Sequence, residues 1–78
     1  MGYDHHVMGK VLRALRENAQ KSQEVLSGLA GIDRTHLTKI ECGQHSASIE
    51  TLWQISEALE MPFSEIVRLV EAEIDKEK

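Results

Sequence analysis

The eight residues "RTHLTKIE" at 34–41 set Arg34, Thr35, His36, Thr38, Lys39 and Glu41 around two apolar side chains, Leu37 and Ile40. In a helix those two, three apart, anchor one side and leave hydrogen-bonding groups on the opposite side. Such a surface suits recognition, since guanidinium and ammonium groups donate to anions and planar acceptors. Covalent chemistry has no foothold: the chain shows no Ser/His/Asp cluster, phosphate-cradling glycine loop or metal-ligand constellation. Cys42 and His45 form a C-x-x-H, but two ligands do not make a zinc site and no second pair of suitable spacing exists. Neither an enzyme nor a cofactor is expected.

The polar stretch needs something to hold it out. In "SQEVLSGLAGIDRTHLTKIECG" (22–43), two segments with helical spacing flank "AGID", each too short to be stable alone. Ser22 is a good N-cap for the first, with Glu24 in its opening turn, where the helix dipole favours an anion. Leu26, Leu29 and Ala30 are expected to face inward, and Gly31 to end the helix in a left-handed conformation. Gly28, inside that helix, costs about 1 kcal/mol relative to alanine; either another backbone approaches there or the glycine is simply tolerated. Asp33 is expected to cap the second segment and Gly43 to end it. Two helices crossing steeply need a short turn and small side chains, and Ser27 and Ala30 are small enough. Ile32 would plug the corner behind the turn.

The remaining pattern is also helical. Met8, Val11, Leu12, Leu15 and Ala19 make one stripe of a first helix. Ser48 caps a fourth with Ile49, Leu52, Ile55 and Leu59 on its buried side, and Pro62 separates it from a fifth carrying Phe63, Ile66, Val67, Val70 and Ile74. No stretch alternates with period two for long enough to suggest a strand. The expected fold is all-α: one compact five-helix domain over 1–78, with a flexible arm at 1–6 (His5 and His6 included) and a frayed acidic tail at 75–78.

Composition bounds the function class. The 78 residues carry a single cysteine, Cys42, so there is no internal disulfide, which favours a reducing compartment, the cytoplasm. No apolar run approaches the roughly 18 residues a membrane span requires, and "MGYDHHVMGK" lacks the n- and h-regions of a signal peptide. The net charge of −4 argues at first against a nucleic-acid partner. Its distribution argues less: residues 1–46 hold six Lys/Arg against five Asp/Glu, a balance of +1, and residues 47–78 hold three against eight, a balance of −5. The acid lies away from the presented helix.

With these residues in place, "SQEVLSGLAGIDRTHLTKIECG" followed by "SIETLWQISEAL" resembles the helix-turn-helix of the phage repressor and Cro (Xre) family over about residues 8–69. Gln23, Leu26, Ala30, Gly31, Ile32, Leu37, Ile40, Glu41 and Gly43 stand at that family's spacing. The resemblance implies a transcriptional regulator that puts helix 34–42 into the major groove of double-stranded DNA. It implies Arg34, Thr35, Thr38 and Lys39 over base edges, and Ser22, Gln23, His36, Gln44 and His45 on the sugar–phosphate backbone. It further implies that Glu41 pairs with Arg16 of the first helix and so orients the presented one. The departures are His45, where the family often has arginine, and Ala47, where it has proline; a neutral histidine attracts phosphate less than arginine and points to modest or pH-sensitive affinity. Regulators of this kind include prophage repressors, restriction-modification controllers and the antitoxins of toxin pairs.

Trp53 stands one residue off the Leu52 stripe, and Leu69 adds a second apolar edge to the fifth helix. Intramolecular packing of a tail helix is one account. The expectation adopted is a twofold dimer through the fourth and fifth helices, with Trp53, Met61, Phe63, Leu69 and Ile74 at the seam. Such a dimer would set two presented helices about 34 Å apart on a near-palindromic operator. The rival expectation is a protein-interaction module of the same fold, such as an antitoxin, with weak or no DNA reading.

Overall fold

A computed structural model describes residues 3–76. Five helices follow one another: α1 (His5–Asn18), α2 (Gln23–Ala30), α3 (Arg34–Glu41), α4 (Ile49–Ala58) and α5 (Phe63–Lys76). The first starts earlier than its apolar stripe suggests. Asp4 caps it, its carboxylate accepting from the backbone N–H groups of His6 (2.7 Å) and Val7 (3.3 Å). His5 and His6 therefore belong to the first turn rather than to an arm, because a carboxylate at N-cap satisfies two otherwise unpaired donors. At the other end α5 continues through Asp75 and Lys76, part of the expected tail; residues 1, 2, 77 and 78 lie outside the described part.

Ser22 and Ser48 cap α2 and α4 by accepting from the N–H groups of Val25 and Thr51, both at 3.1 Å. Asp33 occupies the N-cap position of α3 with extended backbone, but its carboxylate makes no hydrogen bond to the helix, contrary to expectation. Gly31 closes α2 at φ 71°, a left-handed conformation that costs glycine little. Gln20 and Glu60 take the same conformation after α1 and α4, at φ 59° and 57°, although neither is glycine.

Leu12, Leu26, Leu37, Ile40, Ile55 and Ile66 are fully buried and draw one side chain or more from every helix into a single core. Helix α1 lies against α3 and α5, α2 against α3 and α4, and α4 against α5. Four residues of the predicted apolar patterns lie open to solvent, two of them, Leu29 and Ile49, expected inside. Leu29 is 59% exposed and Ile49 73% exposed; Val67 is also largely exposed, and Ala19 lies at the exposed C-cap of α1. The short helices bury only a narrow line, Leu26–Ala30 on α2 and Leu52–Ile55 on α4, and the next apolar position on either side falls beyond the neighbouring helix.

Helices α1 and α3 approach closely at Gly9. A β-carbon on Gly9 would overlap the carbonyl oxygen of Ile40 and lie 2.7 Å from that of Glu41. Glycine lets the backbone of α1 rest directly on the last turn of α3.

Candidate nucleic-acid interface

Leu37 and Ile40 bury one side of α3, while Arg34, Thr35 and Lys39 stand exposed on the other and His36 and Thr38 are half-buried at its edge. The loop after α3 folds back on it: the N–H groups of Gln44 and His45 both donate to the Lys39 carbonyl, at 2.9 and 3.3 Å. That brings the His45 ring 6.2 Å from that of His36 and leaves Gln44 and His45 exposed beside the helix. The N-termini of α2 and α3 converge as well. Arg16, Ser22, Gln23, Glu24 and Arg34 line a shallow cleft of about 390 Å³. Backbone donors at the start of α2 and the Arg34 guanidinium give this cleft an anion-attracting character.

Behind the presented face lies a polar network. Arg16 grips Glu41 with two charge-assisted bonds, Nε to Oε2 at 2.7 Å and an Nη to Oε1 at 3.0 Å. Its remaining reach goes to the Lys21 carbonyl at 2.8 Å, tying down the turn between α1 and α2. The Glu41 side chain is 2% exposed and that of Arg16 is 11% exposed. Hydrogen bonding to Glu41 holds the Arg16 guanidinium above its ordinary pKa, outweighing the opposite push of burial. The structure thus brings together the two residues that the family resemblance pairs.

Sequence reasoning missed the next link. Gln23 donates from Nε2 to Glu41 Oε1 at 2.9 Å, and its Oε1 accepts from the Thr38 hydroxyl at 2.8 Å. Thr38 also lies 3.0 Å from the Arg34 carbonyl, a second internal acceptor for the same proton. Gln23, expected on a phosphate, and Thr38, expected on a base, are therefore first of all bonded to each other. Ser22 likewise spends a lone pair on its own helix cap. Gly9 carries a sequence signal for the α1–α3 packing, since a glycine in mid-helix marks close approach, whereas Gly28 has open space around it.

The expected dimer residues fall on different surfaces. The Trp53 and Phe63 rings meet at 5.5 Å between centroids, with Trp53 52% exposed. Leu69 instead lines a groove of about 280 Å³ between α1 and α5, with Lys10 and Glu73 bridged at its rim at 2.8 Å. Met61 and Ile74 are half-buried against the core. Among the described residues, no group of three or more His, Cys, Asp or Glu could hold a metal ion, and no helix is long and apolar enough to cross a membrane.

Two short helices joined by a glycine turn, with the second fastened from behind and polar in front, define a helix-turn-helix protein, the class that lays its second helix in the DNA major groove. The sequence profile of the HTH_3 helix-turn-helix family matches residues 12–66, and the chain belongs to that family. Among solved structures it is similar to the restriction-modification controller protein C.AhdI from Aeromonas hydrophila, at 32% identity and a TM-score of 0.77 over 80% of this chain and 94% of that one. The wild-type restriction-modification controller protein C.Esp1396I shares the fold at a TM-score of 0.87 and 24% identity, covering 97% of this chain and 99% of that one. The clp gene regulator ClgR from C. glutamicum shares it at a TM-score of 0.83 and 18% identity, covering 92% and 94%. No curated protein matches the chain in sequence. Fold and family make it a DNA-binding transcriptional regulator and not an enzyme.

Proposed function

We propose that the chain acts as a homodimeric regulator that reads a near-palindromic operator, with α3 in the major groove. Arg34, Thr35, Thr38 and Lys39 face base edges, and Ser22, His36, Gln44 and His45 serve the backbone of the duplex, while the Gln23 amide is held behind the face by Glu41 and Thr38. The observation that carries this reading is the exposed polar side of α3, locked from behind by the Arg16–Glu41 pair and set beside the N-terminus of α2. A bidentate contact from Arg34 to guanine discriminates by about 1–3 kcal/mol. The dimer joins α4 and the start of α5 through the Trp53–Phe63 cluster, while Leu69, in the α1–α5 groove, lies outside this seam. Similarity to C.AhdI across 94% of that protein supports a controller of a restriction-modification system over a prophage repressor. Cytoplasmic location, without cofactor, accords with this role.

Selection of bound sites from random duplexes tests the proposal, combined with a salt titration of the selected site. The expected result is one twofold-symmetric motif whose affinity falls steeply with salt as phosphate-bound counterions are released. The balance of −5 over residues 47–78 favours a second reading, a protein-interaction module. Salt-insensitive or absent DNA binding would establish that reading instead.

A further inference from the structure

The polar network behind α3 has a fixed direction. Arg16 is a permanent donor, and the Glu41 carboxylate it holds can only accept. The Gln23 amide must therefore turn its NH2 toward Glu41, which leaves its oxygen toward Thr38. Facing an acceptor at 2.8 Å, the Thr38 hydroxyl has to donate inward. Its one alternative, the Arg34 carbonyl at 3.0 Å, is an internal acceptor too. A threonine has a single hydroxyl proton, and here it is committed inside the protein.

We propose that the chain Arg16–Glu41–Gln23–Thr38 makes Thr38 a reader of an A·T base pair, offering DNA a lone pair and a methyl group but no donor. Gln23 is the positioning residue that sets this polarity. In the major groove adenine presents the N6 amino donor and thymine the C5 methyl, so one A·T pair satisfies both features of such a threonine. A G·C pair presents a donor too, the cytosine N4 amino group, but no methyl, and its guanine offers only the acceptors N7 and O6, which face the Thr38 lone pair unfavourably; the methyl contact is what tips the choice to A·T. This inference rests on the reading above that Thr38 faces a base.

The test uses the full chain and the duplex recovered by site selection. The base pair served by Thr38 is found as the position whose preference disappears in Thr38→Ala. We expect A·T there, favoured over G·C by about 5- to 10-fold in Kd. Replacing that adenine by purine, which lacks the amino group, and that thymine by uracil, which lacks the methyl, should each weaken binding severalfold. Thr38→Val should become indifferent to the purine exchange yet stay sensitive to uracil. Gln23→Met should lower selectivity at this base pair alone, with melting curves checking that the fold persists. Thr38→Val leaves Arg16 and Glu41 untouched and carries the test if Gln23→Met does not fold. A G·C pair at the Thr38 position would overturn the proposal, as would an unchanged response of Thr38→Val to purine. Equal weakening of every duplex by Gln23→Met would also overturn it, since that marks Gln23 as a plain phosphate contact. In each of these cases sequence-specific binding still stands; selection that yields no motif at all sinks both readings together.

Discussion

Gly9 lies so close to Ile40 that a β-carbon on the first would occupy the space of the second's carbonyl oxygen. The backbone of α1 is the floor on which the end of α3 rests. Gly9→Ala should therefore destabilise the domain, since overpacking against rigid backbone costs about 1–3 kcal/mol, more than the roughly 1 kcal/mol that alanine adds to a helix interior. Gly28→Ala is the matched control. Its β-carbon meets nothing within 4 Å, so it should stabilise by about 0.5–1 kcal/mol. Thermal or urea melts of the two variants should move in opposite directions, and a rise in stability for both would show that α1 can lift off α3.

The Arg16–Glu41 pair predicts strong coupling. Removing only the guanidinium leaves a carboxylate with 2% of its side chain exposed and no counter-charge. Arg16→Leu should therefore cost about 3–5 kcal/mol, and Arg16→Leu with Glu41→Leu should recover most of it. The sign of the pH effect is set by the raised Arg16 pKa. A raised value gives stability that is complete below the unfolded-state pKa and lost only as pH climbs through the folded one. Both lie above the range in which DNA binding is measured, so the Arg16 contribution should not vary between about pH 6 and 9. Denaturant melts across that range check it.

How much of this was legible in the chain depends on the length scale of the signal. Helix count, order and the turn at Gly31 could be read because apolar spacing and glycine are local features. The pairing of Arg16 with Glu41 was reachable only through the family resemblance, since the residues are 25 apart. Leu29 and Ile49 were misplaced because periodicity shows a stripe but not how much of it a neighbouring helix covers. The Gln23–Thr38 bond and the role of Gly9 depend on how α1, α2 and α3 stack. No pattern within one helix encodes that.

Helices α1 and α4 both end with a non-glycine residue in the left-handed region. After each, the chain closes with a bond from the next N–H to the carbonyl five residues back, Lys21 to Arg16 at 3.2 Å and Met61 to Ser56 at 3.0 Å. An L-residue in that region costs roughly 1–2 kcal/mol, partly returned for glycine by its greater freedom when unfolded. Gln20→Gly and Glu60→Gly should each stabilise by about 0.5–1 kcal/mol. A fall in melting temperature for either would mean that its side chain makes contacts worth more than the backbone strain.

On the proposed reading, Arg34 and Lys39 differ in kind from His45. The first two project from the exposed side of α3, and the third sits in the loop folded back beside it. Arg34→Ala and Lys39→Ala should lower the ratio of specific to random DNA affinity by about 1–3 kcal/mol each. His45→Ala should weaken both kinds of DNA alike. Competition binding with selected and scrambled duplexes separates the cases, and equal losses for all three variants would contradict the assignment.

Trp53 offers the sharpest check on the dimer. Half of its surface is open, and its ring meets Phe63 at 5.5 Å, so an apolar face spans α4 and the start of α5. Buried tryptophans dominate protein interfaces, commonly contributing 2 kcal/mol or more on truncation to alanine. Trp53→Ala should therefore shift the monomer–dimer equilibrium by about 30-fold or more toward monomer. Because the ring covers little of the core, the melting temperature measured at a monomeric concentration should change far less. Affinity for a duplex with two half-sites should drop, while affinity for a single half-site should stay as in the wild type, since the reading surface on α3 is untouched. Sedimentation velocity and half-site binding together decide the matter: an unaltered dimer constant would remove Trp53 from the seam, and an equal loss on one half-site would mean that the substitution had disturbed the fold.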